Sequence, residues 1–183
     1  MFRKIVWLGL PILLFFIFIY LLAQGLTRTP NQMPTALLDK PLPEFSLNDL
    51  FDAQVFYDKS VLLNEVILIN VFASWCPPCA AEHGLIMELA KQGFHFYGLN
   101  YQDERLDALT WLNVRGNPYE KVFYDKLGGV GIDWGVIAVP ETFLIDAQGI
   151  VRYRYIGELT SSIWNKEFLP RIQHLKTGVV HAP

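Results

Sequence analysis

The sequence predicts an α/β fold: a βαβ half, then a ββα half, around a mixed central sheet, with a transmembrane helix ahead of them. Three observations carry this prediction. Ile5–Ala23 is an apolar stretch without a charged residue. The apolar run Val66–Phe72 leads straight into "SWCPPCAAEH", which holds the only two cysteines of the 183-residue chain. The second half of the chain then reads strand, turn, strand, helix.

The elements follow in order. As a helix, residues 5–23 reach about 28 Å, close to the ~30 Å of a bilayer core. Pro11 is compatible with a membrane helix. Arg3 and Lys4 flank its N-terminal side, so residues 1–4 are expected in the cytoplasm and the rest of the chain beyond the membrane. A cleaved signal peptide is the alternative, because Ala23–Gly25 offers small residues at cleavage-like spacing. Residues 24–40 are polar and proline-containing and read as a linker. Residues 41–176 make one domain and 177–183 a tail. Net charge is −3, or −5 with Arg3 and Lys4 set aside, and no basic patch stands out, which excludes a nucleic-acid partner.

Within the domain, the β-branched run Val66–Phe72 suits a central strand buried on both faces. "AAEHGLIMELAKQG" follows the cysteines and places Cys79, Glu82, Ile86 and Leu89 at helical spacing, with Gly93 as its stop. "FHFYGLN" from Phe94 is the next strand, and "DERLDALTWLNVRG" from Asp103 the next amphipathic helix. Such alternation argues for parallel pairing through a right-handed crossover. "EKVFYD" is a short strand near Phe123. "ETFLID" and "IVRYRYIG", separated by "AQG", form an antiparallel hairpin. The closing helix is capped by Thr160 and carries Ile163, Trp164, Phe168, Ile172 and Leu175 on one stripe; Pro170 should kink or divide it near Leu169. With Cys-x-x-Cys at the first strand–helix junction, this is the thioredoxin arrangement.

Cys76 and Cys79, at i and i+3 where a helix begins, have Cα atoms about 5 Å apart, within disulfide range. A bridge there closes a very short loop and adds little as a staple, so the pair suits repeated making and breaking. Cys76 precedes a first turn whose N–H groups lack intrahelical partners, which favours its thiolate. Pro77 and Pro78 preset φ for helix entry. Cys76 is therefore expected as the exposed nucleophile and Cys79 as the buried resolving thiol. The alternatives are a structural disulfide and a zinc site. Zinc would need about four ligands, and His83, His95, His174 and His181 supply no second paired motif.

"FASWCPPCAAEH", "GLNYQDERLDALTWL", "GNPY", "AVPETFLIDAQGIVRYRYIGEL" and "IWNKEFLPRI" together resemble the CcmG/DsbE family, from about Pro41 to Ile172. These are membrane-anchored, thioredoxin-like proteins of bacterial cytochrome c maturation. The resemblance implies a protein-disulfide reductase that faces the periplasm from a single-pass inner-membrane anchor. Its substrate would be apocytochrome c, reached directly or through a CcmH-type thiol protein, before haem attachment. Its reductant would be a DsbD- or CcdA-type membrane protein. No cofactor or metal is implied beyond the redox-active Cys76–Cys79 pair. A general exported reductase of the ResA/TlpA kind and an apocytochrome-binding holdase are the rival functions. A DsbA-type oxidase is disfavoured by the lack of a long helical insertion.

The resemblance also assigns positions. Trp75 is expected to shield the cysteine pair and, with Pro77, to contact partners. Pro140 matches a proline held in cis, and the backbone of Ala138 and Val139 is expected to pair with an extended substrate segment. Asn70 stands where thioredoxins often carry a buried aspartate, which leaves Glu82 and Glu141 as supporting acid/base candidates. His83 reads as an exposed or capping histidine. Three departures from the family pattern bear on partner selectivity: Phe72, "GVIA" at Gly135–Ala138 with Ile137 replacing a tyrosine, and Asn64–Glu65.

Overall fold

The computed structural model describes residues 12–20 and 37–177, which fall into two units divided after Met33. In the first unit, residues 12–20 are helical with exposed side chains. The expected anchor over 5–23 reaches outside the described residues at both ends, as do residues 1–4, most of the linker and most of the tail. Among the described residues, no helix is long and apolar enough to cross a membrane.

The second unit is built on a seven-stranded sheet. Its strands are β1 (Ser46–Asp49), β2 (Phe56–Asp58), β3 (Ile67–Phe72), β4 (His95–Tyr101), β5 (Lys121–Asp125), β6 (Glu141–Ile145) and β7 (Val151–Ile156). They lie in the order β2-β1-β5-β4-β3-β6-β7. β3, β4 and β5 run parallel, while β6 and β7 on one side and β1 and β2 on the other run antiparallel. The predicted mixed sheet is therefore present. It is extended by the β1–β2 hairpin, whose strands are too short and polar to show a period.

Strand alternation divides the core in two. Leu68 and Phe72 of β3 pack with Ile86 and Leu89 of α1 (Pro77–Lys91), Leu112 of α2 (Arg105–Arg115), and Trp164, Phe168 and Ile172 of the closing helices. Ile67, Ile69 and Val71 face the opposite side, where Leu42, Phe45, Leu62 and Trp134 cover them. All six β3 residues are buried, as a central strand requires. A short α3 (Gly129–Asp133), not anticipated from the sequence, follows β5 and helps carry Trp134 into that second cluster.

The closing segment divides as Pro170 dictates. Thr160 Oγ1 caps its first turn, accepting from Ile163 N at 3.3 Å. α4 (Ser161–Ile163) then widens into a π turn over Trp164–Phe168 before α5 (Leu169–Thr177). Proline has no N–H to offer and its ring crowds the carbonyl four residues back; the wider turn relieves that conflict.

Candidate functional site

The cysteines sit where β3 hands over to α1. Cys76 is the N-cap residue of α1 and the two prolines occupy its first helical positions. Cys76 and Cys79 form a disulfide with Cα atoms 5.3 Å apart. The Cys79 N–H donates to Cys76 Sγ at 3.1 Å. One otherwise partnerless donor of the first turn is thus aimed at the leading sulfur, where it favours negative charge in the reduced form. The expectation of an exposed Cys76 is corrected. In the bridged state Cys76 is only 3% exposed and Cys79 1%. Both belong to the cluster containing Phe72 and Ala73, with Val139 packed against it.

The loop before Cys76 is tied down by the β4–α2 connection. Asp103 accepts from Ser74 N at 2.6 Å and from Ser74 Oγ at 2.7 Å, and also from Asn100 Nδ2 at 2.9 Å. The indole of Trp75 donates to the Gln102 carbonyl at 2.9 Å, yet the residue remains 55% exposed. A groove of about 320 Å³ beside this loop is lined by Ser74, Asp107, Thr110, Trp111, Val114 and Arg115.

Behind the pair lies a buried polar network. Glu82, one helical turn beyond Cys79 and 1% exposed, accepts from Asn70 Nδ2 at 2.8 Å and from Leu159 N at 2.5 Å. Asn70 Nδ2 also reaches Thr142 Oγ1 at 3.2 Å, and Asn70 Oδ1 receives the Tyr119 hydroxyl at 2.7 Å. Burial drives the Glu82 carboxyl up to about 7 against the two hydrogen bonds that favour its anion, and Glu158 adds to the rise. Burial and the Glu82 charge hold the Tyr119 phenol well above its ordinary range.

Glu141 lies elsewhere. It starts β6 on the face of Phe143, whereas its neighbour Thr142 shares the Glu82 side. One carboxylate oxygen accepts from Ile137 N at 2.9 Å and Ala138 N at 3.0 Å; the other meets Arg154 at 2.6 Å in a buried ion pair. Arg154 also donates to the Gly135 carbonyl at 2.7 Å. These contacts fix residues 135–138 ahead of Pro140, whose peptide bond with Val139 is cis. Ile137 stands 62% exposed on that loop.

His83 differs from the sequence expectation. It is 4% exposed, packs edge-on to Trp111 at 4.5 Å and contacts the Gly116 carbonyl through Nε2 at 3.0 Å. Burial lowers its pKa. It follows Glu82 on α1 and turns to the helix flank covered by α2. Sequence reasoning missed Asp103, Tyr119 and Arg154, which reach the site from distant segments; a buried-polar role has no local pattern to betray it. Among the described residues, no group of three or more His, Cys, Asp or Glu is placed to hold a metal.

A redox-active pair at a helix start on a thioredoxin-like sheet defines a thiol–disulfide oxidoreductase. Residues 38–167 match the Redoxin family, which places the chain in that class. The chain is 42% identical over 175 residues to the thiol:disulfide interchange protein DsbE of Yersinia pestis, covering 92% of this chain and 93% of the relative. It is 47% identical over 141 residues to DsbE of Vibrio cholerae serotype O1, covering 77% of each. The chain belongs to the DsbE family. The crystal structure of a putative DsbE from Chlorobium tepidum superposes with a TM-score of 0.60 at 26% identity, covering 74% of this chain and 96% of that one.

Proposed function

We propose that this chain reduces the disulfide of apocytochrome c before haem attachment, directly or through a CcmH-type thiol protein. In this reading it works at the periplasmic face of the bacterial inner membrane, held there by the apolar segment 5–23 and re-reduced by a DsbD- or CcdA-type membrane protein. The observation that carries the reductive direction is the buried Glu82 one turn behind Cys79. A carboxylate there disfavours extra negative charge on the thiols, and so disfavours the reduced, thiolate-bearing form. A pair whose reduced form is destabilised gives its electrons away.

The exchange runs in two displacements. The Cys76 thiolate attacks one sulfur of the partner's disulfide; a mixed disulfide forms and one partner thiolate leaves. Cys79 then passes its proton to Glu82 and attacks the Cys76 sulfur, releasing the second partner thiolate. The partner gains two electrons and the chain is left with the Cys76–Cys79 bridge. A carboxyl near 7 is half ionised at neutral pH, which suits it to this transfer. Glu141, already occupied by two N–H groups and Arg154, serves as the anchor of the loop before Pro140 rather than as a proton carrier. Because the Ala138 N–H is given to Glu141, an incoming extended segment pairs with the main chain of Val139. Trp75, Pro77 and Ile137 form the exposed apolar surround that receives the partner.

Replacing Cys79 by Ser blocks the second displacement, so partners should accumulate covalently on Cys76 in cells. Capture of apocytochromes or of a CcmH-type protein supports the reading. Capture of unrelated exported proteins would replace it with a general reductase of the ResA/TlpA kind. Retained cytochrome assembly by Cys76→Ala would replace it with a holdase.

A further inference from the structure

The Tyr119 hydroxyl is a fully buried group that the exchange steps above do not use. Its ring is clamped in place. It stacks on Phe72 at 4.9 Å with 21° between planes, and His83 meets it edge-on at 6.4 Å. Gly98 leaves room for it, since a Cβ there would come within 3.0 Å of the ring. The backbone around it is fixed by Asn117 Oδ1, which accepts from Tyr119 N at 3.0 Å, and by Glu120 N on the Phe96 carbonyl at 2.9 Å. A phenylalanine would satisfy every one of these ring contacts. What the hydroxyl adds is one hydrogen bond, to Asn70 Oδ1.

That bond decides the orientation of a group with two possible settings. An asparagine amide presents an acceptor on one side and donors on the other, and turning it over exchanges them at little steric cost. With Tyr119 donating to Oδ1, both hydrogens of Nδ2 are directed at Glu82 and Thr142. Glu82 then faces a donor and is stabilised as the anion that can take up a proton. Turned over, Asn70 would present its oxygen to Glu82, and the protonated acid would be the stable form.

We propose that Tyr119 is a positioning residue for thiol–disulfide exchange: through Asn70 it keeps a hydrogen-bond donor against Glu82 and so keeps that carboxylate ready to receive the Cys79 proton. The proposal rests on the reading of Glu82 as proton acceptor. Two titratable groups from other elements interact with Glu82: Glu158 from the loop after β7 and Tyr119 from the α2–β5 loop. Asn70 and Thr142 carry no charge, Cys79 lies one turn earlier on α1, and His83 turns away to Trp111.

The test uses the reduced full-length protein and an aromatic disulfide that releases a coloured thiolate. One equivalent appears when Cys76 attacks, and a second when Cys79 resolves the mixed disulfide. The ratio of the second rate to the first is followed from about pH 5 to about pH 9. Tyr119→Phe should move the midpoint of that ratio up by about one pH unit, a fall of about tenfold on its acid side. A ring-fluorinated tyrosine at position 119, a stronger donor of the same shape, should move it down and serves where Tyr119→Phe fails to fold. Unmoved midpoints, or two phases slowed equally, overturn the proposal. Glu82→Gln separates the two layers. If the midpoint survives that change, Glu82 is not the acceptor; if it vanishes while both Tyr119 variants leave it in place, only the role of Tyr119 falls.

Discussion

Glu82→Gln has a measurable consequence for stability that is independent of any substrate. The Glu82 carboxyl stands at about 7 in the folded chain, against its ordinary 4.5 when exposed. At about 1.36 kcal/mol per pH unit, this difference corresponds to about 3 kcal/mol. Below about pH 4.5 the group is protonated in both folded and unfolded chains and imposes no penalty. As pH rises through about 7 the folded chain must carry a buried anion that the unfolded chain carries in water. The favourable contribution is therefore complete on the acid side and gone above about pH 7. Gln carries no charge, so its own penalty is constant. It leaves one of the donors from Asn70 and Leu159 facing an NH₂ group, at about 1–3 kcal/mol. The assay is denaturant unfolding of both proteins with the Cys76–Cys79 bridge intact, so that no thiol titrates. From about pH 4 to about pH 8 the native protein should lose about 3 kcal/mol relative to the variant, or roughly 6–12 °C in Tm. The depressed His83 acts equally in both proteins and cancels. A difference that stays constant across this range would refute the reasoning, and with it the use of Glu82 as a proton acceptor at neutral pH.

Other substitutions test the rest of the site. Arg154→Met should cost about 3–5 kcal/mol in denaturant unfolding by leaving the Glu141 carboxylate buried without its ion partner, and Glu141→Gln in the same chain should restore part of the loss. Gly98→Ala places a Cβ 2.9 Å from the Phe72 ring and 3.0 Å from that of Tyr119, so thermal unfolding should show a loss of about 1–3 kcal/mol together with a changed aromatic circular dichroism signal. Asp103→Ala removes the acceptor of the Ser74 amide, and hydrogen exchange at Ser74 should accelerate by roughly tenfold or more.

What the sequence made legible follows from the range of the interactions involved. β3 announces itself through an unbroken apolar run, and α1 and α2 through helical periodicity, because those patterns are written in neighbouring residues. The Cys76–Cys79 pair and Glu82 were legible for the same reason: spacing along one helix fixes their common flank. β1 and β2 were not, because each is a segment of only three or four residues at one side of the sheet, defined by its pairing partners rather than by its own pattern. His83 was misplaced because a polar residue beside a glutamate gives no sign that Trp111 will close over it. Asn70 was read as a loss of the aspartate found in thioredoxins, when it is the hinge of a network assembled from Tyr119, Thr142 and Glu82. Those contacts span 49, 72 and 12 residues of sequence, which no local pattern can report.

The two acidic residues of the site, alike in the sequence, are separated by the simplest rule of strand geometry. Successive residues of β6 point to opposite faces. Glu141 therefore joins Phe143 and Arg154 and holds the loop leading to Pro140, while Thr142 turns to Asn70 and the network behind Cys79. Loop geometry and the proposed proton acceptance thus fall on different sides of one sheet, in groups whose hydrogen bonds do not overlap. A change on the Arg154 side can alter how a partner is received while the carboxylate behind Cys79 keeps its donors. On the proposed function, a change at Asn70 or Tyr119 should alter the proton step while leaving the loop anchored. In the same reading, this separation would let one scaffold adjust its choice of partner at the exposed loop that carries Ile137 without retuning the chemistry of its sulfurs.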